Sequence, residues 1–347
     1  MGLPESCNID LHSKFKKGPM NLITDVKGVM VGHKTVKGPD HKNTGVTVVL
    51  PHDGDVFHDK VMAATSVING FGKSVGLVQI NELGTIESPI VMTNTLSVGT
   101  CLDACDKYLL EKNPDIGVKT GSVNVVVTEC NDADTNNLRG QYVTKEDFDD
   151  AINACATTFE EGCVGAGTGM VCFGFKGGIG SASRVLEIDG KEYTVGALVL
   201  SNFGIAGNLR IGGEYFEQFV PDGVDDKRLH EKGSIIMLIA TDAPANDRQL
   251  RRMANRAAYS LGKLGSFGGN GSGDIAIAFS TGNRVPHYSD KTILETKMLF
   301  DDETDGIFRC GVEAVEEAIV SALYHATTTP GREEGKTFHA FREVTGK

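Results

Sequence analysis

Glycine occupies 43 of the 347 positions, about one in eight, without the three-residue period of collagen. Glycine is used where a chain turns tightly or where two backbones approach closely, so this density predicts a β-rich or mixed α/β chain. The length allows one large domain or two ordinary ones. No segment has the composition of a linker, and no repeat appears at solenoid or propeller periods. A single domain over residues 1–347 is therefore expected. The longest wholly apolar run, Ile235 to Ala240, is six residues, far short of the ~20 needed to span a bilayer. A formal net charge of −12 repels a phosphate backbone, which argues against nucleic acid as a partner.

The stretch Met1 to Met20 has no apolar core of the kind a signal peptide needs. Met1-Gly2-Leu3-Pro4-Glu5-Ser6, with Cys7 adjacent, fits the loose N-myristoylation pattern. Such a pattern is short enough to arise by chance, and Pro4 and Glu5 add no basic membrane-binding element, so no membrane partner is expected. The eight cysteines contain no Cys-x-x-Cys pair, which suits neither a disulfide scaffold nor a zinc site. They read as small buried hydrophobes in a reducing compartment, with a cytoplasmic location. Neither a metal nor a cofactor is expected.

Four segments read as helices. One runs from Ser97 to Lys112, and a second from Thr144, whose spacing to Asp147 suits a capping box, to about Glu161. In the third, Leu250, Met253, Ala254, Ala257, Leu261 and Leu264 keep a helical period behind Asn246 as N-cap. The fourth, Ile307 to His325, is apolar on more than one side and is expected to be buried. Strands are expected at 45–50, 122–128, 193–200, 234–240 and 274–279. They do not alternate strictly with the helices, which favours a layered α+β sandwich over a doubly wound parallel sheet.

Several leads fail. Gly72-Lys73-Ser74 resembles the end of a phosphate-binding loop, but Val67 stands where its leading glycine belongs. The run Gly165 to Met170 nears a dinucleotide fingerprint, yet ends in Met170 and follows a predicted helix instead of a strand. No Gly-x-Ser-x-Gly or His-Glu-x-x-His is present. The nine histidines are scattered without ligand spacing. Two features remain. Ser234 follows Gly233 and opens the apolar run Ile235 to Ile239, a good place for a rigidly held nucleophile. Gly-Ser recurs at four other places, however, so the dipeptide alone reads as a turn. The island Gly269-Asn270-Gly271-Ser272-Gly273-Asp274 could crowd polar groups before a strand or simply form a hairpin or bulge.

The order of these pieces resembles the peptidase family of the D-aminopeptidase DmpA and the β-peptidyl aminopeptidases. The likeness starts at Asn21-Leu22-Ile23-Thr24-Asp25-Val26 and Val31-Gly32-His33. It continues through Val67-Ile68-Asn69-Gly70-Phe71-Gly72-Lys73, Glu82-Leu83-Gly84 and Thr93-Asn94-Thr95-Leu96-Ser97-Val98-Gly99. Gly165 to Met170, Lys176-Gly177-Gly178-Ile179-Gly180, Gly233-Ser234-Ile235-Ile236 and Gly269 to Asp274 complete it, over roughly residues 15 to 335. The resemblance implies a four-layer α-β-β-α sandwich of the type shared with ornithine acetyltransferase, similar in layering to N-terminal-nucleophile hydrolases. It also implies self-cleavage at Gly233–Ser234 into α- and β-subunits of residues 1–233 and 234–347, assembled as a homotetramer.

The same resemblance implies Ser234 as nucleophile, with Ser272 and Asp274 as the second serine and its acid. Some relatives have Glu at the acid, one methylene longer. Asn202 matches the oxyanion-hole asparagine, and Glu129 the carboxylate that reads the substrate ammonium. Relatives often follow that carboxylate with Thr-aromatic-Asp, whereas this chain reads Glu129-Cys130-Asn131-Asp132, placing Asn131 where an aromatic would line the pocket. The chemistry is coherent without a histidine. A serine hydroxyl needs an adjacent base, and the free α-amino group of a newly exposed Ser234, with a pKa of about 8, can serve. The implied substrates are short peptides and amino-acid amides or esters. The competing functions are an acyl transferase of the ornithine acetyltransferase type, whose nucleophile is Thr where this chain has Ser234, and a non-catalytic relative, against which the retention of all four residues argues.

Overall fold

The structure, a computed structural model, describes residues 2–4, 7, 9–217 and 231–347. Met1, Glu5 and Ser6 of the acylation-like pattern lie outside the described residues, whereas Gly2 is buried against Asn21.

Among the described residues the chain opens with β1 (Met30–Gly38), β2 (Lys42–Leu50) and β3 (Asp59–Gly70). Then come α1 (Leu77–Leu83), β4 (Thr85–Ile86), β5 (Ile90–Asn94), α2 (Val98–Lys112), β6 (Val126–Cys130) and α3 (Lys145–Asn153). A two-residue hairpin, β7 (Val171–Cys172) and β8 (Phe175–Lys176), leads into the long strands β9 (Gly178–Ile188) and β10 (Lys191–Asn202). The short pair β11 (Arg210–Ile211) and β12 (Glu214–Tyr215) follows. The chain continues through β13 (Lys232–Thr241), α4 (Asp247–Lys263), β14 (Gly271–Pro286) and α5 (Asp305–His325).

Two mixed sheets result. One has the order β1-β2-β5-β6, the other β4-β3-β14-β13-β10-β9. Only β5–β6 and β13–β14 are parallel neighbours within them, which fits the expected departure from a doubly wound sheet. Strand alternation sends successive side chains to opposite faces, and β13 shows the outcome. Ile235, Met237 and Ile239 pack with Leu250, Met253, Ile319 and Leu323 of α4 and α5. Ile236, Leu238 and Ala240 pack with Val31, Val49, Ile90 and Met92 of the other sheet. That sheet's far face, with Val46, Val48, Val91 and Val127, is covered by Cys101, Cys105, Leu109, Phe148 and Ile152 of α2 and α3. Three apolar cores thus lie between these helices and sheets. Burial on both faces explains why these strands read as continuous apolar runs.

The helix expectations hold closely at 97–112, 250–264 and 307–325, and the Asn246 side chain accepts from Gln249 N at 2.9 Å as an N-cap. Two expectations are corrected. The second helix ends at Asn153, not near Glu161, because Ala156 exchanges backbone hydrogen bonds of 3.0 and 3.1 Å with Val31 and so joins the sheet edge. The strand expected at 122–128 is Val126–Cys130. Its parallel partner β5 offers pairing from Ile90 opposite Val126 to Asn94 opposite Cys130, and strand follows partner.

Candidate active site

Register on three adjacent strands assembles the site. On the central strand β13, Ser234 lies opposite Asn202 of β10 and Gly273 of β14, while Gly233 lies opposite Ser272. Ser234 is therefore two residues inside the paired strand, not its opening residue as the sequence suggests. Ser234 and Asn202 share the face of Ile236 and Leu200, turned toward the other sheet. Ser272 and Asp274 share the face of Ala276 and Ala278, turned toward the helices. The pair thus lies on the face of the sheet opposite the Ser234 hydroxyl, beside the Gly233–Ser234 backbone of β13.

The Ser234 hydroxyl donates to the Gly233 carbonyl oxygen and accepts from Gly273 N at 3.2 Å. Gly233 has φ +137°, and a Cβ there would lie 2.2 Å from Asn202 O. Only glycine tolerates both the conformation and the space. The Asn202 amide is held from both ends: its Oδ1 accepts from Val171 N at 2.9 Å, and its Nδ2 donates to Asn131 O at 3.0 Å. One Nδ2 hydrogen remains for a ligand.

Ser272 Oγ donates to Asp274 Oδ1 at 2.5 Å. Burial raises the Asp274 carboxyl to about 6, against the lowering effect of the Ser272 bond and with a further push from the nearby Glu231 charge. This carboxyl stays protonated well into the range where an exposed aspartate is ionised.

Glu129 comes from the other sheet. It lies within β6 opposite Thr93, not beyond a strand end, and it is buried. Its Oε1 accepts from Lys73 N at 2.8 Å and its Oε2 from the Thr95 hydroxyl. Both contacts come from donors, which leaves lone pairs on the carboxylate for a further donor. Glu129, Asn131, Asn202, Gly233 and Ser234 line one cavity of about 510 Å³, with Phe71, Lys73 and Val171 among its other walls. The exposed Asn131 side chain accepts from Ala133 N at 3.0 Å, so it shapes its own loop while its carbonyl orients Asn202. Ser272 and Asp274 are buried behind the cavity wall.

Sequence reasoning passed over two supporting residues. Lys176 is fully buried, and its Nζ donates to Met170 O at 2.7 Å and Gly177 O at 2.9 Å, fixing the turn that presents Val171 N to Asn202. Glu231 accepts from Ser266 Oγ at 2.6 Å, Phe267 N at 3.3 Å and Gly269 N at 3.4 Å. Lys176 opens the Lys176-Gly177-Gly178-Ile179-Gly180 segment that carries part of the family resemblance, but neither it nor Glu231 signals burial by residue type, since lysine and glutamate are usually exposed.

Comparison with known proteins bears on this geometry. The sequence profile of peptidase family S58 matches residues 21–337. The chain is 38% identical, over 350 aligned positions, to the beta-peptidyl aminopeptidase BapA of Sphingosinicella microcystinivorans, covering 94% of this chain and 87% of that protein. A crystal structure of a protein from Pyrococcus horikoshii OT3 matches with a TM-score of 0.91 and 49% identity, covering 98% of this chain and 96% of that one. The L-aminopeptidase D-Ala-esterase/amidase of Ochrobactrum anthropi, a prototype for the serine aminopeptidases with a variant of the Ntn hydrolase fold, matches with a TM-score of 0.88. Its identity is 35%, with 98% of this chain and 96% of that one covered. The present fold is similar to that Ntn-type arrangement.

Proposed function

The chain belongs to peptidase family S58, and from that premise we propose that it is a self-processed serine aminopeptidase acting through Ser234. Its substrates are short peptides and amino-acid amides or esters with a free amino terminus. The observation that carries the reading is the Ser234 hydroxyl seated against the Gly233 carbonyl, in the cavity that Asn202 and Glu129 also line.

In the first step Ser234 Oγ attacks the Gly233 carbonyl carbon, its proton passes to the Ser234 nitrogen, and the peptide C–N bond breaks to leave an ester. Water then hydrolyses the ester, giving a Gly233 carboxylate and a free Ser234 amine. That amine, with a pKa of about 8, becomes the base that activates the same hydroxyl for turnover. Ser272 and Asp274 lie on the neighbouring strand beside the Gly233–Ser234 backbone where it emerges, and they orient it and relay its proton. Asn202 donates to the oxygen that becomes negative in the tetrahedral intermediate. Glu129 pairs with the substrate ammonium, a charge-assisted contact that separates an aminopeptidase from a general amidase. Asn131, polar where relatives often place an aromatic, tunes which side chain the cavity takes.

The three cores support reading the fold as a four-layer α-β-β-α sandwich in one catalytic domain, residues 1–347, and the family resemblance supports a homotetramer. The eight cysteines are free, in keeping with a reducing cytoplasm. No helix among the described residues is long and apolar enough to cross a membrane. The reading is tested by incubating purified protein with aminoacyl p-nitroanilides, with and without an amine acceptor. Hydrolysis that disappears in Ser234→Ala supports it. Acyl transfer to the amine in preference to water, or activity undiminished by the substitution, refutes it.

A further inference from the structure

Glu231 lies three residues before Ser234 and is buried to 2% exposure. Its carboxylate accepts from Ser266 Oγ, Phe267 N and Gly269 N, and all three donors sit on the loop that enters β14. The fit is close on the other side as well, because a Cβ on Gly269 would lie 2.5 Å from Glu231 Cβ. The loop is held independently by Asn69, whose Nδ2 donates to Gly269 O at 3.0 Å and to Ser272 O. Residues 231–233 and the loop leading to Ser272 and Asp274 are thereby tied together, immediately before β13 and β14 begin to pair at Lys232 and Gly271.

We infer that Glu231 is the positioning residue for self-cleavage: it clamps the 231–233 segment to the loop carrying Ser272 and Asp274, and so holds the Gly233 carbonyl on the Ser234 hydroxyl. This rests on the self-cleavage reading above. Gly233 occupies a conformation that a free segment leaves readily, since it is one of several open to glycine. An anchor two residues upstream restricts that freedom. The two backbone N–H contacts require an acceptor, and the Ser266 hydroxyl, which itself accepts from Gly268 N at 3.2 Å, donates to the other oxygen. A glutamine removes the charge that strengthens all three bonds and makes the Ser266 hydroxyl give up its donor role to face an NH₂. Asp would fall one methylene short. After the cut, the same clamp retains Lys232 and Gly233, which line the cavity, as part of its wall.

The test follows the cut in pulse-labelled protein made by cell-free synthesis, with intact mass as the readout. Glu231→Gln is expected to slow cleavage about 10-fold or more, and Ser266→Ala, which removes one donor and leaves the carboxylate, to slow it less. Leu109→Ala, a core truncation in α2 within the separate apolar core on the far face of the other sheet, serves as a destabilised control and is expected to cut at the wild-type rate. Wild-type kinetics in Glu231→Gln would overturn the clamp. So would a delay in Leu109→Ala equal to that in Glu231→Gln, because the effect would then follow stability alone. Should Glu231→Gln fail to fold, Ser266→Ala decides: slower cutting supports the clamp and unchanged cutting overturns it. A wild-type chain that never cuts refutes the self-cleavage reading itself, an outcome distinct from all of these.

Discussion

Replacing Glu129 by Gln isolates the contact that makes an aminopeptidase selective for a free amino terminus. Both oxygens of Glu129 already accept from Lys73 N and the Thr95 hydroxyl, so the carboxylate is fixed in place before substrate arrives. Removing one partner of a desolvated charge pair costs about 2–5 kcal/mol. The cavity of about 510 Å³ lets water reach the pair, which favours the lower end, about 2–3 kcal/mol. At about 1.4 kcal/mol per tenfold, that is a loss of roughly 30- to 150-fold in kcat/KM for substrates with a free amine. The substitution also turns an NH₂ toward one of the two existing donors, and that disturbance falls on every substrate alike. The assay therefore compares one aminoacyl anilide with its N-acetylated form in both proteins, and the ratio of the two losses is the quantity of interest. Self-cleavage should be spared, because the precursor presents no ammonium to Glu129. Equal losses on both substrates would mean that Glu129 supports the Lys73 and Thr95 loops and does not read the amine.

Two further substitutions probe the opposite wall and the buried acid. Asn202→Ala is expected to lower kcat by roughly 100-fold or more, as loss of an oxyanion donor does, and to slow maturation. An Asn202→Ala enzyme with normal turnover would remove this residue from the chemistry. Asp274, raised by burial from 3.8 to about 6, holds a proton in the folded chain that the unfolded chain releases. Stability it contributes is thus fully present below about pH 4 and lost as pH rises through about 6. In the uncut Ser234→Ala background, Asp274→Asn should gain in urea midpoint relative to its parent between about pH 4 and about pH 7. A difference independent of pH would show that the carboxyl ionises normally.

The legible parts of the molecule were those with periodic or ordered signals. Helix α4 declared itself through Leu250, Met253, Ala257 and Leu261 together with its Asn246 cap, and both survive in the structure. The central strands were visible as apolar runs because both faces of β13 and β14 are buried. The site residues could not be found one at a time. Ser234 is one of several Gly-Ser serines, and Asn202 and Glu129 are singled out only by the family resemblance. What joins them is register between strands far apart in sequence, Asn202 opposite Ser234 and Ser234 opposite Gly273, and pairing partners leave no local trace. The displaced strand β6 makes the same point. Ser122 to Val125 has strand composition, but β5 reaches only from Val126 onward. The roles of Glu231, and of Lys176 inside its family motif, stayed hidden because both satisfy buried backbone and hydroxyl groups, which no pattern of residue types announces.

Whether Ser234 becomes an amino terminus is read from an intact mass spectrum of the purified, active protein. Self-cleavage gives two species of about 25 and about 12 kDa, in proportion to residues 1–233 and 234–347 of a 37.0 kDa chain, with masses that sum to the uncut chain plus one water. The Ser234→Ala protein should give one inactive species. A single 37.0 kDa chain in a preparation that hydrolyses substrate would contradict the account.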